Sequence, residues 1–291
     1  MPTASTIATF RALHEPSAGC FLIPNPWDIG SAIFLERAGF KAIATTSAGF
    51  AFTRGLPDEV LAIPKEAMLA HVAEIVAATT LPVSADFQSG YSHDLDALAA
   101  NVRACVATGV AGLSIEDATG DRTMSPLYPL DLATERIRAA RRAIDDTGLG
   151  VVLTARCEAF LVDGPGVEPD PARAAETVRD VIDRLVAYAA AGADCLFAPA
   201  VRDPKVITMI VKAVAPKPVN VIVTSPSMGL TVPLLTDLGV RRISVGSALA
   251  RVAWGAFMRA AQNIADTGTF DALADAAPFT TFAELFAQRR A

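Results

Sequence analysis

Three apolar runs in this chain end in ionisable residues that could do chemistry together. Pro82 to Ala85 leads into Asp86, then Phe87, Gln88, Ser89 and the turn residue Gly90. Gly112 to Ile115 leads into Glu116-Asp117, and Val151 to Ala155 into Arg156-Cys157-Glu158. Other runs end near Asn25 and Asp28, Thr46 and Ser47, Thr224, and Ser247. An acid where a buried strand runs out, followed by a Gly turn, is the pattern of a catalytic loop on an α/β scaffold. Such an Asp can also simply cap the next helix. Hard oxygen ligands with no neighbouring His or Cys pair suit Mg²⁺, with Mn²⁺ as the other candidate. Mg²⁺ keeps several waters, so Asp86 and Glu116 suffice as protein ligands. The competing reading has these acids ion-paired to Arg156 around one rim.

Other chemistries find less support. A Schiff-base mechanism needs a Lys at a strand end, and Lys41, Lys65, Lys205, Lys212 and Lys217 all lie elsewhere. His14, His71 and His93 fall on helices or loops, so no Ser-His-Asp set is visible. Cys157 reads as a small buried residue. Ser225 and Gly246-Ser247 could cradle a phosphate after strands seven and eight, or could be ordinary helix caps.

The elements that must position these residues alternate eight times. Strands are predicted at Cys20–Ile23, Lys41–Thr46, Pro82–Asp86, Gly112–Ile115, Val151–Ala155, Cys195–Ala198, Val219–Val223 and Arg242–Val245. Helices are predicted between them, with a loop at Ser47-Ala48-Gly49 and a polar Pro/Gly-rich segment at Asp163–Pro171. The strands are short apolar runs without strict alternation, as expected when both faces are buried. Repeated βα units at this length favour an α/β fold of (β/α)8 TIM-barrel type over a doubly wound sheet, for which no GxGxxG follows the first strand. One domain over 1–291 is expected, with about 248–291 as a C-terminal helical extension. Phe270, Phe279, Phe282, Leu285 and Phe286 crowd that extension with apolar surface. A neighbouring subunit or the chain's own barrel must cover it.

Composition narrows the class further. Hydrophobic residues make up 52% of the chain, enough for a large core. The net charge of −6 and the lack of a basic stripe argue against nucleic-acid partners. Four scattered cysteines without a CxxC pair fit reduced thiols in the cytoplasm. The N-terminus lacks the features of a signal peptide, and no apolar run is long enough to span a membrane.

Several segments together resemble the isocitrate lyase/phosphoenolpyruvate mutase superfamily. They are PNPWDIGSA (24–32), TTSAGFAFTRGLPD (45–58), ADFQSGY (85–91), GLSIEDATGD (112–121), LTARCEAF (153–160) and AGADCLFAP (191–199). The resemblance covers nearly the whole chain. It implies a phosphoenolpyruvate/pyruvate-type (β/α)8 barrel, a homo-oligomer (dimer or tetramer) with C-terminal helices swapped between subunits, Mg²⁺, and a small 2-oxo acid or related carboxylate as substrate. It further implies that Thr46, Ser47 and Ala48 hold the substrate carboxylate, that Asp58 is an active-site acid, and that Arg156 holds substrate oxygens. Asp86 would bind the metal directly, and Glu116 through water. The shared chemistry forms an enolate of pyruvate type.

Departures from the family pattern are informative. Gln88 stands where a second acid is usual after the third strand, and its amide could hold a metal-bound water. The loop after the fourth strand reads DATGDRTMSPLYPL, without the Cys and Lys of the lyases. Ser114 and Pro199 replace a lyase His and Glu. The pattern left resembles the phosphonomutase-like branch (carboxyvinyl-carboxyphosphonate phosphorylmutase-like). Two expectations follow. One is a Mg²⁺-dependent lyase or mutase acting on a C–C or C–P bond. The other is a carboxylate-binding barrel with reduced catalysis. Tyr91, Asp121, Tyr128 and Glu158 are the further acid/base candidates, and Ala118–Pro129 is the expected lid.

Overall fold

The computed structural model describes residues 4–59, 62–162 and 171–287. Its eight strands are β1 (Phe21–Ile23), β2 (Ile43–Ala44), β3 (Val83–Asp86), β4 (Gly112–Glu116), β5 (Val152–Arg156), β6 (Cys195–Phe197), β7 (Val219–Ile222) and β8 (Arg242–Ser244). All pair in parallel, in the order β1-β8-β7-β6-β5-β4-β3-β2. The seam between β1 and β2 is bridged by Ala44 N–H to Pro24 O at 3.1 Å and by Asn25 Nδ2 to Thr45 O at 3.0 Å. Asn25 Oδ1 also accepts the N–H groups of Val245 and Gly246 at 3.0 and 2.8 Å. One amide side chain thus ties β1, β2 and the end of β8 together.

The helices are α1 (Ala4–Leu13), α2 (Ile29–Arg37), α3 (Ser47–Thr53), α4 (Lys65–Ala78), α5 (Leu95–Ala107) and α6 (Leu130–Asp145). They continue with α7 (Pro171–Ala190), α8 (Pro204–Val214), α9 (Val232–Asp237), α10 (Ala248–Thr267) and α11 (Phe279–Ala287). The stretch predicted as a loop at Ser47-Ala48-Gly49 is the first turn of α3. Thr46 caps it, its hydroxyl oxygen accepting the Gly49 N–H at 3.1 Å. This N-cap type, together with the helix-forming Ala48 and Ala51, outweighs the weaker propensity of Ser47 and Gly49. The Pro/Gly-rich segment predicted at Asp163–Pro171 lies, apart from Pro171, outside the described residues.

Helix α1 closes the bottom of the barrel. Phe10 is fully buried, and a Cβ on Gly112 would stand 2.6 Å from its ring, so the first residue of β4 has no room for a side chain. The inward-facing residues above it are mostly small and polar: Ser84, Ser114, Thr154, Asn220 and Ser244. Barrels of this kind are more often filled with branched apolar side chains. A cavity of about 60 Å³ remains down the axis.

Two histidines are buried in neutral form. The His14 Nδ1 lies 2.8 Å from Phe10 O and its Nε2 3.2 Å from Arg242 Nη1. His71 stacks on Phe50 with ring centroids 3.8 Å apart. Burial, reinforced by Arg242 and Arg54 respectively, lowers the two pKa values to about 3 and about 4. Both lie below the unfolded value near 6.5, so the unfolded chain takes up protons first as pH falls. The two histidines' contribution to stability is therefore complete above pH ~6.5 and declines toward pH ~4. Urea unfolding should show a histidine share of roughly 2–4 kcal/mol lost between pH 7.5 and pH 5, read as the difference between wild type and the His14 and His71 variants. His14→Gln should remove about half of that slope; an unaltered slope would count against His14 as a source.

Candidate active site

The carboxyl ends of β2 to β5 bring four sequence-predicted residues together. Asp86 ends β3, Glu116 ends β4, Arg156 ends β5, and Ser47 follows β2. The Ser47 N–H and hydroxyl both donate to Asp86 Oδ2, at 3.0 and 2.8 Å. The Asp86 N–H donates to Thr45 Oγ1 at 2.9 Å, which fixes the carboxylate from behind. Asp86 Oδ1 is buried and has no hydrogen-bond partner. Its nearest cation is Arg156 Nη1, at 3.5 Å.

Arg156 is the hub. Its Nη1 also lies 3.5 Å from Glu116 Oε2, and its Nε donates to Glu158 Oε1. Burial works to lower the guanidinium pKa, but Glu158, Glu116 and Asp86 outweigh it and raise the value. Glu116 is held well above the ordinary carboxylate range, by burial first, with Arg156 opposing. Glu158 is raised for the same reasons. The rim pairing weighed against metal binding is thus realised, and among the described residues Arg156 alone faces these three acids. Such crowding leaves the mouth short of positive charge.

Asp58 is exposed, yet its carboxyl is raised, by partial withdrawal from water and then by the charge on Asp86, with Arg156 opposing. It therefore sits within electrostatic range of the cluster. Thr46 and Ala48 are buried, and Thr46 lines the axial cavity. Gln88 is buried and has a left-handed backbone, φ 47°, while its carbonyl accepts the Glu116 N–H at 3.0 Å. A non-glycine residue in that region costs about 1–3 kcal/mol and persists where surrounding structure enforces it.

A buried network holds Arg156 and Glu158 from outside the barrel. Asp117 Oδ1 accepts the Glu158 N–H at 2.8 Å, and Oδ2 accepts Tyr188 Oη–H at 2.7 Å. Arg184 Nη1 pairs with the same oxygen at 3.3 Å. Sequence reasoning missed Tyr188 and Arg184. Their signal is a pair spaced by one turn on the buried face of α7, too generic to single out.

Residues 118–129 form a short antiparallel loop, pinned by a bridge between Ala118 and Leu127 and by Thr119 N–H to Pro126 O at 2.9 Å. Arg122 reaches Glu59, next to Asp58, at 3.3 Å. Asp121 Oδ1 accepts from both Thr123 N–H and Thr123 Oγ1–H, and its Oδ2 lies 4.0 Å from His93. Among the four acid/base candidates, Glu158 touches the cluster. Tyr128 bonds His93 at 2.6 Å, and Tyr91 Oη is buried without a partner. The suggested phosphate cradle does not form. Gly246 N–H is held by Asn25, and Ser225 caps a short turn by accepting the Ser227 N–H.

Among the described residues no group of three or more His, Cys, Asp or Glu side chains is arranged as a metal cage. The donor set still fits a hydrated divalent cation. Asp86 offers an unpartnered oxygen, and Glu116 is a buried acid that a nearby cation would return to its charged form.

A parallel (β/α)8 barrel with acids and a guanidinium gathered at its carboxyl face defines a TIM-barrel enzyme scaffold. The chain belongs to the phosphoenolpyruvate phosphomutase family, whose model matches residues 10–265. Members of the wider superfamily are lyases and mutases acting on small carboxylates. The Mycobacterium tuberculosis (strain H37Rv) protein Rv1998c is 32% identical over 258 residues, 89% of each chain. A 2-methylisocitrate lyase of Halalkalibacterium halodurans is 28% identical over 90% of this chain and 83% of its own. A Burkholderia cenocepacia J2315 crystal structure, provisionally named a lyase/mutase, superposes with a TM-score of 0.88 at 44% identity, over 98% of this chain and 97% of the other.

Proposed function

We propose that this protein is a Mg²⁺-dependent lyase or mutase that acts on a C–C or C–P bond of a small 2-oxo acid or related carboxylate, through an enolate of pyruvate type. The observation that carries this reading is the cluster of Ser47, Asp86, Glu116 and Arg156, with one Asp86 oxygen left unpartnered. Asp86 would hold the metal directly, Glu116 and Gln88 through water. The metal would supply positive charge beside the developing enolate. The Ser47 N–H and hydroxyl, now on Asp86, are the donors a substrate carboxylate would take over, with Thr46 and Ala48 shaping the pocket. Arg156 would bind substrate oxygens and stabilise negative charge as it develops. Asp58, its carboxyl raised, is the group best placed to accept or return a proton. Loop 118–129 would keep water from the mouth.

Gln88 and the missing lyase Cys favour a second reading, a carboxylate-binding barrel with reduced turnover. Assays of 2-oxo, malate-type and phosphonate acids with Mg²⁺ separate the two. Turnover of one class supports the enzyme, and binding without turnover of any supports the second reading.

Two further outcomes are expected. Asp121 is exposed and engaged with Thr123, so it should govern closure and not proton transfer. Asp121→Asn should leave turnover within about tenfold, whereas loss of a general acid costs roughly 10²–10⁴-fold. A hundredfold drop with an intact fold would make Asp121 the catalytic acid.

Helix α11 lies against α2, the Phe286 ring facing Gly30, and Phe279, Phe282 and Phe270 remain exposed with Val252, Phe257 and Met258 of α10. We take this surface to be covered by further copies of the chain in a cytoplasmic dimer or tetramer, with C-terminal helices exchanged between subunits. Light scattering at micromolar concentration should give a multiple of the chain mass; a monomer would refute the assembly.

A further inference from the structure

We infer that the floor of the barrel is a binding site for a small anion, of the size of a halide or a formate, held by Arg242. Arg242 is the first residue of β8, and its side chain crosses the barrel interior. It is 5% exposed. Its Nε donates to Asn220 Oδ1 at 3.0 Å and its Nη2 to Thr154 Oγ1 at 3.0 Å, while Nη1 faces His14 Nε2 at 3.2 Å. Every one of these partners is neutral. Among the described residues no carboxylate lies in ion-pair range of Arg242, and Asp194 is committed to Arg11 and Arg141. A guanidinium carries five N–H donors and stays charged in proteins. Two of its donors therefore have no partner among the described residues.

A buried charge without a counter-charge is costly, and proteins normally pair it or place it against a ligand. The space beside Arg242 suits a ligand. The cavity of about 60 Å³ runs from Asp86 and Arg156 at the mouth down to Arg242, lined on the way by Ser84, Ser114, Asn220 and Ser244. None of these four carries charge; Asn220 Nδ2 donates to Ser244 Oγ at 3.0 Å and Ser114 Oγ to Ala85 O at 3.4 Å, which leaves the Ser84 and Ser244 hydroxyls to donate to an anion. Arg242 opens β8 whereas Asp86 closes β3, so the two stand at opposite ends of the cavity, and its lower end has the sign to attract an anion. This site stands on geometry alone and does not depend on the catalytic reading above.

The test uses the full chain. Thermal unfolding is compared in 0.2 M sodium bromide and 0.2 M sodium gluconate, an anion too large for the cavity. Bromide at tenfold over its dissociation constant should raise the midpoint by about 3 °C. Crystals soaked in bromide should show an anomalous peak in contact with the Arg242 guanidinium. Arg242→Met should lose both signals. Ser114→Val keeps the charge but fills the cavity, and it should lose both even where the Arg242 variant fails to fold. Soaking with oxalate and bromide together identifies the source. Displacement of bromide marks a subsite for a substrate carboxylate, and retention marks a resident ion. Equal midpoints in the two salts with no bromide peak in wild type would overturn the proposal.

Discussion

Replacing Asp86 with alanine is expected to abolish measurable Mg²⁺ binding and to lower turnover roughly 10³-fold, since both orientation and charge stabilisation are lost. The structure explains why one residue should matter so much. Asp86 has a buried Oδ1 that accepts no hydrogen bond and lies 3.5 Å from Arg156 Nη1. Its other oxygen is locked by Ser47, so the free one has a fixed direction. Glu116 shares the same guanidinium nitrogen at 3.5 Å, and Glu158 takes the Arg156 Nε–H. A cation deprived of Asp86 would meet mostly neutral ligands and water. Calorimetric titration of Mg²⁺ into wild type and Asp86→Ala measures the first part directly. Equal affinity in the two proteins would remove Asp86 from the metal site. Gln88→Asp should act in the opposite direction, tightening Mg²⁺ by restoring a negative charge beside Glu116. Weaker binding in that variant would place Gln88 away from the ion.

Arg156→Met is expected to be the most damaging change to the fold at the site. It leaves Asp86, Glu116 and Glu158 crowded without their shared cation. Breaking a buried ion pair by removing one partner typically costs about 3–5 kcal/mol. Turnover should fall at least ~10²–10³-fold as well, because the donor aimed at developing charge is gone. The pH dependence separates this from a simple packing defect. Glu116 has a folded pKa above its unfolded value. Its contribution to stability is thus complete below pH ~4.5 and is lost as pH rises through the folded value. Without Arg156 that folded value climbs further, so the variant should be destabilised more at pH 7.5 than at pH 5. Denaturant unfolding at both pH values checks it; a deficit independent of pH would point to lost packing over Phe197 instead. Arg156→Lys should recover part of the stability but little of the turnover, since an ammonium cannot face three acids with a planar fork of donors.

Much of this was legible in the chain as written. The strand end at Asp86 matches the structure, because apolar runs broken by Gly, Pro or a polar end follow directly from burial and backbone sterics. The end predicted at Ala155 falls one residue short of Arg156. The first turn of α3 is hard to read from sequence because Ser47 and Gly49 are weak helix formers in a short segment, although the capping Thr46 before them is a start signal.

What the sequence determined by itself is the order of alternating elements and the collection of Asp86, Glu116, Arg156 and Ser47 at one end of a barrel. Those follow from local periodicity and from the rule that parallel strands expose their carboxyl ends together. Only the tertiary structure decided how their charges are shared. That Arg156 serves three acids depends on the register that sets Glu116 opposite Arg156 across the β4–β5 ladder. That Asp117 meets Tyr188 depends on α7 folding back over β5 and β6. That Arg242 lies among neutral partners depends on closure, which brings His14, 228 positions away, beneath β8. Contacts of that range are set by how the barrel closes and how its helices dock, and no local pattern of residues encodes them.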